Sequence, residues 1–150
     1  MSTRYNNRRI VKGGQKIAPG KLLPGMVLTF NYSEKGVKDP RPILWFLYDN
    51  NGILEGININ YLNPTKLKKL FSVIEFKKGK LDEEENLVFL KEDYFRIQIS
   101  NPKRRSAMTP KRFYSDVVSS DKYFKQAYRS YKTKSLTSLQ VSQINTEFIT

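Results

Sequence analysis

The sequence predicts an α+β fold: a small, strongly bent antiparallel sheet with short flanking helices and a basic extension at the N-terminal side. Three observations lead there. Residues 22–70 are the only stretch dense enough in apolar side chains to seed a core. That stretch holds three strand-like runs separated by turn residues, and it closes on a helix start. The segments on either side of it are strongly basic.

Each element follows from its residues. Pro24-Gly25 opens the run 26–32, rich in β-branched and aromatic side chains, which reads as a strand entered through a turn. Residues 43–48 form a continuous apolar run behind Pro40 and Pro42, which suits a strand buried on both faces. Asn51-Gly52 supplies the two positive-φ positions of a type I′ hairpin. Beyond it Ile53, Ile57, Ile59 and Tyr61 alternate with Leu54, Gly56, Asn58 and Asn60, so one face is expected in the core and the asparagine face is expected to be the wetter one. A long first loop at 33–42, a two-residue second turn and three antiparallel strands together suggest an SH3-like β-barrel. Asn63 as cap and Pro64 as first helical residue then start a helix with Leu67, Leu70, Phe71 and Ile74 at helical spacing. It is expected to pack across the barrel mouth and to show Lys66, Lys68 and Lys69 to solvent.

Residues 1–21 contain Arg4, Arg8, Arg9, Lys12, Lys16 and Lys21 with no acidic residue, and Gly13, Gly14 and Gly20 interrupt them. They are expected to be an extended arm with no order of its own, held by contact with another molecule. Residues 22–150 form a single barrel domain with helical insertions. Within it, the switch from Lys77, Lys78 and Lys80 to Asp82, Glu83, Glu84 and Glu85 marks an exposed loop, and 94–99 alternates as a half-buried strand. Thr109-Pro110 starts a second helix. Ser120 with Asp121 starts a third, with Phe124, Ala127, Tyr128 and Tyr131 on one face, and 136–144 adds a late strand with Leu139 and Val141 inward.

The formal net charge of +13 and a pI near 9.9 favour a polyanionic partner, nucleic acid first and an anionic membrane second. With no cysteine and no histidine, disulfides, zinc fingers, Ser-His-Asp triads and Cys-His dyads are excluded. No apolar run approaches the roughly 18 residues of a membrane span. Gly13-Gly14 before Lys16 lacks the spacing and context of a phosphate-binding loop. The carboxylates of Asp82 to Glu85 are adjacent on a loop and point in different directions, so no metal site, no cofactor and no catalytic residue is expected. The candidate nucleic-acid contacts are Arg4, Arg8, Arg9, Lys103, Arg104, Arg105, Lys111, Arg112, Lys122, Lys125 and Arg129. Around the later ones lie Phe113, Tyr114, Tyr123, Phe124, Tyr128 and Tyr131. Cations neutralise phosphates and aromatic faces stack on bases, while the helical spacing of Phe124, Tyr128 and Tyr131 equally suits anchoring to a core.

Residues 38–62, KDPRPILWFLYDNNGILEGININYL, resemble a small family of tailed-phage proteins. The shared Gly-x-Asn-x-x-Tyr-Leu stretch is matched by Gly56, Asn58, Tyr61 and Leu62, and AYRSYKTKSL at 127–136 resembles the Tyr-Arg-x-Tyr segment that ends those proteins. This chain departs from them in having Asp39-Pro40-Arg41-Pro42 and Trp45 where members show an aromatic-acidic-basic lead into the strand. Members are described as DNA end protectors or as virion proteins of unassigned role. The resemblance implies a non-enzymatic structural or assembly protein of the virion, made in the host cytoplasm. It would dock by its basic surface and arm within a head, neck or tail assembly or at a DNA end. Other virion proteins and DNA are the implied partners, in a multi-subunit assembly with no membrane. A second resemblance sets the alternative. Pro24-Gly25-Met26-Val27 with Arg41-Pro42-Ile43-Leu44 is similar to the opening of SH3-like toxin endoribonucleases, and it implies a role for Arg41 in RNA cleavage.

Overall fold

The structure, a computed structural model, describes residues 4–5, 7–22, 26–75, 80–81, 87–88, 96–97 and 118–144. The strands in chain order are β1 (Val11–Lys16), β2 (Val27–Tyr32), β3 (Ile43–Asp49), β4 (Ile53–Asn58), β5 (Ile74–Glu75), β6 (Lys80–Leu81), β7 (Leu87–Val88), β8 (Arg96–Ile97), β9 (Tyr128–Lys132) and β10 (Leu136–Ile144). Among the described residues two α-helices, α1 (Pro64–Val73) and α2 (Lys122–Ala127), accompany them. Six strands form one antiparallel sheet in the order β1-β10-β2-β3-β4-β9, and β5 with β8 and β6 with β7 make two small ladders. The expected strand at 94–99 is described only as β8. The Asp82 to Glu85 loop, the helix at Thr109-Pro110 and the cluster Lys103, Arg104, Arg105, Lys111 and Arg112 lie outside the described residues.

The continuous apolar run forms β3, and its alternation divides the interior in two. Ile43, Trp45 and Leu47 enter one cluster with Ile10, Ile57, Leu67, Leu70, Phe124 and Ala127, so this face lies under both helices. Leu44 and Phe46 enter the other, with Leu28, Phe30, Leu54, Tyr131, Leu139 and Val141, so this face is covered by the sheet's own curl. The curl has a covalent cause. Only Thr133–Ser135, a 3-10 turn, separates β9, paired to β4, from β10, paired to β2. Three residues span about 10 Å, so β4 and β2 must bend toward each other. Bulges at Phe46/Tyr48 and Thr137/Gln140 add to the bend.

Curling stops short of closure. No ladder joins β9 to β10, so the sheet is open with β1 and β9 at its edges, where a closed barrel was expected. The last turn is tied by single bonds: the amide of Lys132 donates to the Tyr32 hydroxyl at 3.0 Å, and that of Ser33 to the Ser135 carbonyl at 3.2 Å.

The N-terminal segment corrects a second expectation. Residues 11–16 are not an arm but strand β1, paired to β10, and Ile10 before it is fully buried in the helix-side core. A strand demands only main-chain partners, and its cations stay on the exposed positions, so a basic, glycine-broken segment can add to a sheet edge. Gly13, at φ +66°, sits where the register slips between Lys12 and Gln15. A third correction concerns residues 128–132, expected to continue a helix. α2 stops at Ala127 and the chain enters β9, where Tyr128 and Tyr131 face opposite sides of the sheet. Pairing along β4 outweighs a local helical pattern here.

The hairpin is as expected: Asn51 at φ +51° and Gly52 at φ +85° turn β3 into β4, with Asn50 and Ile53 exchanging main-chain bonds at 2.8 and 3.1 Å. Gly52→Val is expected to cost about 1–2 kcal/mol, because a branched residue opposes the left-handed region, while Asn50→Ser stays within about 0.5 kcal/mol. Thermal melting of both variants checks this, and a Gly52→Val protein as stable as the parent would contradict the turn geometry.

Candidate nucleic-acid interface

The functional geometry begins with a buried carboxylate. Asp39, 2% exposed, lies in the 33–42 loop. Its Oδ1 accepts from Arg4 Nε at 3.0 Å and from the Arg41 amide at 3.1 Å, and its Oδ2 from Asn58 Nδ2 at 2.9 Å and Asn60 Nδ2 at 3.0 Å. Burial alone would raise its pKa, but the bonds from Asn60, Asn58, Arg4 and Arg41 outweigh it and hold the carboxyl below its ordinary value. The network continues outward. Asn58 Nδ2 also donates to the Tyr131 hydroxyl at 2.8 Å, and Asn7 Nδ2 donates to the carbonyls of Ile59 and Leu62 at 2.7 and 3.0 Å. Burial pushes the Tyr131 phenol well above its ordinary range, so it stays neutral. The asparagine face of β4 is therefore not in water: Asn58 and Asn60 are 0% and 1% exposed.

A second buried carboxylate organises the helices. Asp121 caps α2 by accepting from the Tyr123 amide at 2.8 Å, and it binds Lys66 Nζ and Lys69 Nζ, each at 2.9 Å. Against the opposing effect of burial, Lys69 and Lys66 hold its pKa far below the ordinary value. So Lys66, expected to face solvent, is folded back onto Asp121 and is largely covered; Lys68 is exposed. The α1 cap is as expected, with Asn63 Oδ1 accepting from the Lys66 amide at 2.9 Å.

Of the predicted contact residues, the structure separates two kinds. Arg8, Arg9, Lys122 and Lys125 have exposed side chains. Arg4 and Arg129 are built into the fold: Arg4 pairs with Asp39, and the Arg129 guanidinium lies 4.4 Å from the centre of the Tyr61 ring with Nη1 donating to the carbonyls of Tyr128, at 3.0 Å, and Gln126. Tyr123 is 40% exposed, with Lys66 Nζ 4.6 Å and Lys122 Nζ 5.1 Å from its ring. It thus carries the cation and aromatic pairing that the sequence placed on a longer helix, whereas Phe124 is buried. Arg41 is exposed, and its main chain is fixed by Asp39 and by Asn60 Nδ2, which donates to its carbonyl at 3.3 Å.

The Asp39 and Asn60 network escaped sequence reasoning, although a signal was there. A strand buried on both faces, as β3 was read, needs neighbours covered on both faces, and that places Asn58 and Asn60 inside with a need for partners. Compared with known proteins, the chain matches no family model, no curated protein and no solved structure.

Proposed function

We propose that the chain is a non-enzymatic structural or assembly protein of a tailed-phage particle, docking on nucleic acid and on other virion proteins through an outward basic surface. One observation carries the electrostatic part. Among the described residues the two buried carboxylates, Asp39 and Asp121, are each neutralised by cations of the same chain, whereas Lys122 and Lys125 are exposed in a protein of net charge +13. Lys122 and Lys125 are therefore placed to meet an anionic partner. The phage assignment rests on the resemblance of residues 38–62 and 127–136. The SH3-like assignment is supported by the order β10-β2-β3-β4-β9, in which the last strand lies beside the first of the five and follows the fourth through a 3-10 turn.

A polyelectrolyte interface has a measurable signature. If about six cations meet duplex phosphates, log K against log salt should have a slope near −5, and the double change Lys122→Gln, Lys125→Gln should reduce its magnitude by about 2. Titration of a labelled duplex at several salt concentrations tests this. Affinity that is independent of salt, or absent at about 50 mM, would sink the nucleic-acid reading and point to an acidic protein surface.

A further inference from the structure

Beside the Asp39 network the fold leaves a cleft of about 360 Å³, between the 33–42 loop and β9. Tyr32, Val37, Lys38, Tyr61, Arg129 and Tyr131 line it, with Asp39 among the lining residues. We propose that this cleft binds one unpaired nucleotide of a single-stranded nucleic acid. This rests on the nucleic-acid reading above and names the form of the ligand.

Three features select that ligand. The first is an aromatic lining. Tyr32 and Tyr131, buried and meeting edge to face with ring centres 4.9 Å apart, close the floor of the cleft, Tyr131 is held by Asn58, and the half-buried Tyr61 ring is covered on one face by the Arg129 guanidinium. A base can extend the Tyr61–Arg129 pair by lying on the guanidinium. The second is charge. The carbonyls of Tyr128 and Gln126 engage only Nη1 of Arg129, leaving its other N–H groups without a partner among the described residues, and Lys38 is exposed at the cleft. Together they place two positive charges beside the cleft, the Arg129 guanidinium being the group that can bond a phosphate. Asp39 does not oppose this, because both its oxygens are occupied and Arg4 balances its charge. The third is size: the volume is at the small end of ligand pockets, suited to one nucleotide and too small for a base pair.

The test compares three probes on the full-length chain at about 50 mM salt: a labelled ten-residue oligothymidylate, a duplex, and an acidic proline-containing peptide. Tyr61→Leu should weaken oligothymidylate binding by about 5- to 30-fold and leave duplex binding unchanged. Arg129→Gln and Lys38→Gln should each lower the magnitude of the single-strand salt slope by about 0.7, which keeps the proposal testable if Tyr61→Leu fails to fold. Thermal melting controls for folding. Salt-dependent binding of both nucleic acids, unmoved by all three changes, would overturn the cleft proposal and leave the basic-surface reading standing. No binding of either nucleic acid would overturn both. Binding of the peptide alone, lost in the same variants, would reassign the cleft to a protein segment.

Discussion

Gly56→Ala is expected to destabilise the fold by about 3 kcal/mol or more, a large share of the roughly 5–15 kcal/mol that holds a domain together. Gly56 is buried in the middle of β4, paired with Phe46 on one side and Arg129 on the other. A Cβ there would collide with the carbonyl oxygen of Trp45 and would stand 2.9 Å from its carbonyl carbon and 3.1 Å from the Phe46 Cα. All three are main-chain atoms of the central strand, so no side-chain rotation relieves the clash. What position 56 requires is the missing Cβ, since its φ is not positive. Gly20, with nothing within 4 Å of an added Cβ, is the control: Gly20→Ala should be near neutral. In thermal unfolding the Gly56→Ala midpoint should drop by about 10 °C. A drop of only two or three degrees would mean that β3 and β4 are farther apart than described.

The elements legible in the sequence are those whose cause is local. The Asn51-Gly52 hairpin, the Asn63-Pro64 helix start and the apolar run of β3 each depend on residues within a few positions of one another. The inward Leu139 and Val141 of β10 were legible for the same reason. What was not legible depends on distant partners. Val11–Lys16 becomes a strand because β10 offers an edge some 125 residues later, and Tyr128–Lys132 leaves the helical pattern because β4 is there to pair with it. Of the candidate site, the cationic and aromatic content around Lys122 and Tyr123 could be read directly. The stack of Arg129 on Tyr61 could not, because the two residues are 68 positions apart in sequence and meet only through β4–β9 pairing.

Asp39→Ala is expected to be the most damaging polar substitution, costing about 3–5 kcal/mol at neutral pH. It removes the common acceptor of Arg4, Asn58 and Asn60, leaving one N–H of each of two fully buried amide groups without an acceptor, while Asn58 keeps its bond to Tyr131 and Asn60 its bond to the Arg41 carbonyl. It also releases the 33–42 loop from β4 and from Arg4 near the N-terminus. Asp39→Asn is no remedy, because one of its two side-chain positions becomes a donor facing the donors of Asn58 and Asn60 or of Arg4 and the Arg41 amide. The pH dependence separates this cause from simple loss of packing. The folded pKa of Asp39 lies below the unfolded value of about 3.9, so in acid the unfolded chain binds the extra proton. The stabilisation is therefore complete above that unfolded value and is lost as pH falls through the lower folded one. Asp121, depressed as well, adds a loss of the same sign. Unfolding measured from pH 7 down to pH 2 should show parent and Asp39→Ala far apart at neutrality and converging in acid, with the variant's curve the shallower. Parallel curves over that range would show that the Asp39 charge contributes nothing, and that the network acts through shape alone.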